Sequence, residues 1–244
     1  MFLEERYERI VEEIETKGRA TVKELSKKFN VTDDCIRKDL RELENRGKLK
    51  RVHGGAIPKK IQYDFKKLEE RKDVNRNKKK QIAIKAIELI KDRETIFLDI
   101  STINIEIAKL IAKRDLNITV VTNMIEIVLE LKQCKNVRAI LIGGEFHKRA
   151  EGILGSEAER NIRRFTLSKS FIGICAVNRE SGLISSLDIE DGNIKKSIIE
   201  SSNKTYLVME SDKFDYDEFY KFASLDEITG IITETGILEG EYND

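Results

Sequence analysis

The sequence predicts two domains of different class. The first is an N-terminal α+β unit of three helices closed by a β-hairpin, and the second a larger α/β unit on a mainly parallel sheet. Three observations carry this prediction. Apolar residues at helical spacing recur over residues 3–43, in runs separated by turn-forming residues. A basic segment at 48–60 surrounds Gly54-Gly55, as the arms of a hairpin would. From residue 81 onward, apolar stretches of strand length alternate with helical ones, the pattern of a parallel sheet covered by helices on both faces. The boundaries read as 1–58 for the first domain, 59–80 for a charged linker and 81–244 for the second domain.

The first helix takes its apolar stripe from Leu3, Tyr7, Ile10, Val11 and Ile14, and Gly18 ends it. Thr21 with Glu24 three residues on is a capping box, which satisfies two orphan amides at the start of the second helix. Val22, Leu25 and Phe29 form that helix's buried face. Asn30 suits the turn that follows, because asparagine tolerates left-handed backbone angles. Thr32 is the expected N-cap of the third helix. There Ile36, Leu40 and Leu43 point one way, which sends Arg37, Lys38 and Arg41 outward together.

Two short helices, a tight turn and a basic hairpin are the layout of a winged helix-turn-helix, whose second helix enters the major groove of DNA. Base readout therefore falls to Arg37, Lys38 and Arg41, since arginine can bond guanine edges bidentately and both residue types grip phosphates. A plain solvated helix of mixed charge is the competing reading, and Asp39, Glu42 and Glu44 speak for it. The hairpin strengthens the DNA reading: Lys48, Lys50, Arg51, Lys59 and Lys60 flank a His53-Gly54-Gly55 turn suited to touching the backbone or minor groove. Residues 35–60 hold nine Lys or Arg against three Asp or Glu, while the whole chain is only +1. A basic patch on a nearly neutral protein is the footprint of phosphate contact. The expected DNA-contacting residues are Thr32, Arg37, Lys38, Arg41, Lys50, Arg51 and His53.

Composition fits a protein of the cytoplasm. With 36% charged and 40% hydrophobic residues the chain can build a core and is not expected to be disordered. No signal-peptide core opens it, and no apolar run approaches the roughly 20 residues needed to span a bilayer. Cys35, Cys134 and Cys175 are scattered, and with two histidines in the chain neither a metal site nor a resident cofactor is expected.

Pro58, the single proline, marks the exit from the hairpin. The charged stretch beyond it ends in Lys78-Lys79-Lys80, expected as a solvated helix start. Ile82, Ile84, Ala86, Ile87 and Ile90 then suggest a packed helix. Strands are expected at 95–100, 118–123, 138–144, 170–177, 205–209 and 228–233, with helices at 103–111 and 126–131. In such sheets ligands lie at the carboxyl ends of the strands, near helix N-termini. Asp99-Ile100-Ser101-Thr102, Thr122-Asn123 and Gly143-Gly144 stand at three of these ends, and free amides at Ser101 and Thr102 could hold a phosphate. Ordinary helix capping is the better explanation for any one of these positions; their convergence argues for a pocket.

The segments Cys35-Ile-Arg-Lys-Asp-Leu and Lys50-Arg-Val-His-Gly-Gly-Ala resemble the recognition-helix and wing signatures of the DeoR family of bacterial transcriptional regulators. That family usually has Thr where Cys35 stands and Arg where Lys38 stands. The resemblance runs on through Arg71, Asn75 and Lys79, then Leu98-Asp99, Val121-Thr122-Asn123, Gly143-Gly144, Phe171-Ile-Gly, Gly182-Leu183, Lys195 and Lys213-Phe214. It implies a sensor domain that looks like ribose-5-phosphate isomerase and binds phosphorylated sugars or related metabolites. The implied effector-binding residues are Asp99, Ser101, Thr102, Asn123, Gly143, Gly144, Lys195, Glu210 and Lys213, with Lys195 and Lys213 neutralising a phosphate.

Four departures from the family pattern cluster at this implied pocket. The motif Asp-x-Gly-Thr-Thr becomes Asp99-Ile-Ser101-Thr102-Ile103, and two aspartates become Ser168 and Glu210. They point to an altered effector or to a pocket that has lost sugar-phosphate binding. The function expected from the resemblance is a DNA-binding repressor of sugar or related carbon metabolism, released from its operator by a phosphorylated metabolite. The alternative is a ligand-blind regulator whose α/β domain only oligomerises. An enzyme is not expected, because His53 and His147 stand apart from any assembled catalytic group. The expected partners are a double-stranded DNA operator, a small phosphorylated metabolite unless the pocket is altered or lost, and further copies of the chain in a dimer or higher symmetric oligomer, since readers of this type pair to match half-sites.

Overall fold

Helix α1 (Leu3–Lys17) buries Tyr7, Ile10 and Ile14 and leaves Leu3 exposed at its start, so the apolar stripe begins one turn later than its spacing suggests. Next come β1 (Ala20–Thr21), α2 (Val22–Phe29) and α3 (Asp33–Asn45). The capping box at Thr21 and Glu24 is formed, Asn30 closes α2 with φ +52°, and the Thr32 hydroxyl accepts from the Cys35 amide at 3.2 Å. Strands β2 (Leu49–Val52) and β3 (Gly55–Pro58) form the hairpin, and β1 pairs antiparallel with β3, giving the order β1-β3-β2. Gly55 lies against the carbonyl of Ala20, where a Cβ would come within 2.2 Å of that oxygen. Only glycine lets the hairpin close on β1 at that distance.

This computed structural model describes residues 3–17, 20–52, 54–58, 68–114, 116–215 and 217–240. The chain divides into two units, 1–64 and 65–244. Gly18, His53, Lys59 and Lys60 lie outside the described residues.

The second unit opens with α4 (Leu68–Asp73) and α5 (Arg76–Glu88). Much of the segment expected as a linker is therefore helical, and Leu68 is buried in the core of this unit. Lys79 corrects the expectation of a solvated lysine run. It lies on the same face of α5 as Ile82, Ala83 and Ala86, at helical spacing, and is buried with them.

There follow β4 (Thr95–Leu98), α6 (Thr102–Arg114), β5 (Ile118–Thr122), α7 (Ile125–Leu131) and β6 (Val137–Leu141). A hairpin of β7 (Glu145–His147) and β8 (Gly152–Leu154) leads to α8 (Ser156–Ile162) and β9 (Lys169–Gly173). Then come β10 (Ala176–Asn178), β11 (Leu183–Ser186), α9 (Ile189–Glu200), β12 (Thr205–Val208), β13 (Tyr220–Ser224), β14 (Gly230–Ile232) and β15 (Ile237–Leu238).

The main sheet has the order β15-β14-β12-β9-β4-β5-β6, parallel throughout except for β15 at one edge. Its inner strands are buried on both faces, which is why Ile96-Phe97-Leu98 and Phe171-Ile172 read as continuous apolar runs. The chain winds outward from β4 to β5 and β6, then returns to β9 on the other side of β4. The direction of winding thus reverses between β4 and β9. Helices α5, α6 and α7 pack side by side, and α8 packs on α9.

The strand expected at 170–177 is two strands. β9 stops at Gly173, and β10 joins β11 and β13 in a separate antiparallel sheet. No helix among the described residues is long and apolar enough to cross a membrane.

Candidate functional site

Two surfaces carry the chemistry, one in each unit. In the first, the outward face of α3 presents Arg37, Lys38 and Arg41, all exposed, and Lys50 and Arg51 are exposed on β2. Their carboxylate neighbours differ. Arg37 donates to Asp34 Oδ1 at 2.8 Å in a pair fully open to solvent. Such a pair contributes little to stability and yields easily to a phosphate or a guanine. Lys38, Arg41 and Lys50 have no ion pair among the described residues. The Arg51 amide donates to Glu44 Oε1 at 2.8 Å, which ties the hairpin to the end of α3. His53 lies outside the described residues.

Asp39 leaves the solvent-exposed balance of this helix altogether. It is buried, and Arg6 on α1 grips both its oxygens at 2.7 and 3.0 Å. One of the three acids that spoke for a neutral helix is thus consumed inside the fold. Arg46 is also diverted, to Glu42, Glu4 and the ring of Tyr7. The Arg6–Asp39 pairing is not visible from sequence spacing, because the two residues are 33 positions apart.

In the second unit, the carboxyl ends of the parallel strands bring most of the expected effector residues to one edge of the sheet. Asp99 follows β4 and is fully buried; Lys195 reaches it from α9, with Nζ 2.6 Å from Asp99 Oδ2 and 2.8 Å from Asp191 Oδ1. Burial pushes the Asp99 carboxyl up to about 6, against the pull of Lys195. Burial works against the Lys195 ammonium as well, but Asp191 and then Asp99 outweigh it and raise its pKa. The other Asp99 oxygen has no hydrogen-bond partner among the described residues.

Beside this pair, Ser101 Oγ accepts from the Ile103 amide at 3.1 Å, so the side chain caps α6 with its own hydroxyl. The Ser101 Cβ also lies against Gly173 at the end of β9, where an added Cβ would meet it at 2.4 Å. The crevice at the point of reversal is therefore narrow. Thr102 is partly buried at the start of α6. Asn104 spans the crevice, donating to the carbonyls of Asp99 and Phe171 at 2.8 and 2.9 Å.

Asn123 is covered by the hairpin: its side chain donates to the Ile153 carbonyl at 3.3 Å, and the Ile153 amide returns a bond to its backbone at 2.8 Å. The Asn123 amide is thus tied to the hairpin, while its Oδ1 is buried with no hydrogen-bond partner among the described residues. Gly143 and Gly144 are exposed, at the far edge of the sheet.

A cluster of cations lies at the ends of β9 and β12. Lys79 is buried, and no carboxylate is within ion-pair distance of it among the described residues; its ammonium donates to the Arg71 carbonyl. Burial lowers its pKa; Lys213 and Arg71 lower it further, and Glu210 opposes them. Glu210 is buried at the end of β12 and accepts from the Asn75 side chain. Lys213 donates to the Ile174 carbonyl at 3.0 Å, just past β9. A buried ammonium without an ion-pair partner is costly unless an anion arrives to pair with it. The sequence placed Arg71, Asn75 and Lys79 only by spacing, and nothing in it showed that they meet Glu210 and Lys213.

Comparison with known proteins covers both units. Residues 6–62 match the family described as a DeoR-like helix-turn-helix domain, and residues 74–235 match the DeoR C terminal sensor domain. An uncharacterised HTH-type transcriptional regulator of Bacillus subtilis, YulB, is 33% identical over 97% of this chain and 91% of its own length. The HTH-type transcriptional regulator GlpR of Haloferax volcanii is 33% identical over the same shares. A lactose phosphotransferase system repressor of Lactococcus lactis is 32% identical over 87% of this chain and 84% of its own length.

Among solved structures, eIF2B delta from Chaetomium thermophilum aligns over 68% of this chain and 58% of its own, with a TM-score of 0.50 and 17% identity. That likeness is one of fold alone. Ribose 5-phosphate isomerase A of Methanocaldococcus jannaschii aligns over 57% of this chain and 55% of its own, with a TM-score of 0.43 and 13% identity.

Proposed function

The chain belongs to the DeoR family of transcriptional regulators, and from that premise we propose that it represses genes of sugar or related carbon metabolism and leaves its operator when a phosphorylated metabolite binds. The observation that carries the effector half of this reading is Lys79, a buried ammonium without a carboxylate at ion-pair distance among the described residues. Lys213 and Arg71 bear on it electrostatically, and so does Glu210. A phosphate or carboxylate group of the effector supplies the missing negative charge. The buried Asp99 oxygen that lacks a partner accepts from an effector hydroxyl.

In this reading Lys195 is the counter-charge that keeps Asp99 ionised and oriented. The acid and the lysine are a pre-formed floor under the ligand, with no role in proton transfer to a substrate. Operator release follows if the ligand binds more tightly to a chain arrangement that fits the operator poorly. The first unit contacts DNA through Arg37, Lys38, Arg41, Lys50 and Arg51, and Thr32 and His53 complete the set expected from the sequence. Repression is the sign suggested by the lactose phosphotransferase system repressors among the relatives, although an L-fucose operon activator of Haemophilus influenzae is 29% identical over 95% of the chain.

A second reading is favoured by Ser101. Its hydroxyl occupies an amide at the start of α6 that a phosphate would otherwise use, and its side chain narrows the crevice against Gly173. A chain that has lost its effector would show this, and its α/β unit would then serve only to assemble copies.

One experiment separates the two. Purified protein is titrated onto DNA fragments from around its own gene at fixed salt, with and without a panel of phosphorylated sugars. Release by one compound, lost in Lys79→Met, supports the effector reading. Specific binding indifferent to the whole panel supports the ligand-blind one.

A further inference from the structure

Helix α4 (Leu68–Asp73) has six residues, where a helix needs roughly 12 to be stable on its own in water. It is held by its surroundings, and at both ends the holding group is charged. At its start the Leu68 amide, one of the orphan donors of a helix N-terminus, donates to Glu151 Oε2 at 2.5 Å. At its end the Arg71 carbonyl, one of the orphan acceptors, takes a hydrogen bond from the Lys79 ammonium on α5. Between these ties the Leu68 side chain is buried in the core and α4 packs on α6. The Arg71 guanidinium lies 3.5 Å from the Glu151 carboxylate and from the Ala150 carbonyl.

Both charged ties stand in unusual settings. Glu151 lies in the β7–β8 hairpin at φ +59°, a left-handed conformation that residues other than glycine adopt where the surroundings enforce it. Lys79 is buried with no carboxylate within ion-pair distance among the described residues, so a carbonyl dipole stands where a full negative charge is called for. Asn75, at the corner between α4 and α5, is left-handed too, at φ +52°, and its side chain donates to Glu210. One end of α4 is thus tied down by the cation cluster itself.

We propose that α4 is a latch between the effector site and the DNA-binding unit: tied by Glu151 and Lys79 it keeps the chain in its operator-binding arrangement, and an anion that pairs with Lys79 frees it. The inference rests on the effector reading above, since it takes Lys79 as the group that meets the anion. A hydrogen bond between two charged groups is roughly twice as strong as one between neutral groups, so the anion draws Nζ from the Arg71 carbonyl. Helix α4 then keeps its tie to Glu151 alone, and its six residues have little helical stability of their own. It is the first element after β3, so its loosening loosens the point at which residues 59–67 lead into the second unit. A latch of this kind is a two-state element that both sites bias, which is what coupling between them requires.

The test reads hydrogen exchange across α4 by mass spectrometry, beside operator affinity at fixed ionic strength, on the full chain. Inorganic phosphate is the probe anion, with chloride as its control. Glu151→Gly removes one tie without touching Lys79, and glycine accepts the left-handed backbone there. Without phosphate this variant should exchange faster across α4 than the wild type and bind operator about tenfold more weakly, with unchanged circular dichroism. Lys79→Met should do the same and should no longer respond to phosphate. In the wild type, phosphate should speed exchange across α4 and weaken operator binding. Exchange at the wild-type rate in both variants overturns the latch. Faster exchange at wild-type operator affinity overturns its link to DNA binding. A wild type that ignores phosphate and every phosphorylated sugar, beside variants that behave as expected, overturns the anion as trigger and the effector reading with it, while the latch stands.

Discussion

The Lys195 ammonium lies 2.6 Å from Asp99 Oδ2 with both side chains removed from solvent, and Asp191 closes the pair from its other side at 2.8 Å. Breaking a buried ion pair by removing one member leaves an uncompensated charge in a low dielectric, at a cost of about 3–5 kcal/mol. Lys195→Met should therefore lower the free energy of chemical unfolding by about that much, and Lys195→Met with Asp99→Asn should recover part of it. A loss under about 1 kcal/mol in the single variant would show that water or protonation of Asp99 relieves the charge.

Arg6 and Asp39 tie α1 to the back of the recognition helix α3 with two hydrogen bonds. Arg6→Met should destabilise the first unit by about 2 kcal/mol, because Asp39 stays buried without its partner. It should also weaken operator binding without changing sequence preference, since no base-contacting group is removed. Thermal unfolding and a comparison of operator with random DNA measure the two effects.

Arg37 is exposed and held only by Asp34. Arg37→Ala should weaken operator binding by about 1–3 kcal/mol and relax the preference at one base position. Equal weakening on all sequences would reduce it to a phosphate contact. Lys50→Ala and Arg51→Ala are expected to behave in that second way, each lowering the slope of log affinity against log salt by about one.

Glu234 at the end of β14 accepts from the Ser211 amide at 3.0 Å and hydroxyl at 2.8 Å, and pairs with Lys78 at 3.0 Å. Burial alone would raise its carboxyl, but these partners win and hold it at about 2. A carboxyl depressed in the folded state stabilises the fold above its unfolded value and loses that contribution as pH falls toward the folded one. The wild type should thus lose about 2 kcal/mol between roughly pH 5 and pH 2 through this group. Glu234→Gln should be less stable at neutral pH and show a flatter acid limb in urea unfolding at a series of pH values. Parallel acid limbs would assign the acid sensitivity to other carboxyls.

Much of the first unit was legible in the sequence because its determinants are local. The capping box at Thr21, the left-handed Asn30, the cap at Thr32 and the inward set Ile36, Leu40 and Leu43 all act within a few residues, and each stands where its spacing places it. The parallel strands were legible for a related reason: strands buried on both faces must be continuously apolar. The antiparallel elements of the second unit were not. The β7–β8 hairpin and the β10-β11-β13 sheet are built from strands of three to five residues, too short for an apolar run to announce them.

The candidate sites divide in the same way. By itself the sequence determined that α3 offers Arg37, Lys38 and Arg41 to solvent, and that Asp99 stands at a strand's carboxyl end, because periodicity and strand order are properties of neighbouring residues. Only the tertiary structure decided which charges are spent. Asp39 goes to Arg6, Asp99 to Lys195, and Lys79 is buried without a carboxylate at ion-pair distance among the described residues. The two pairings join groups 33 and 96 residues apart in a medium where one unpaired charge outweighs many local preferences.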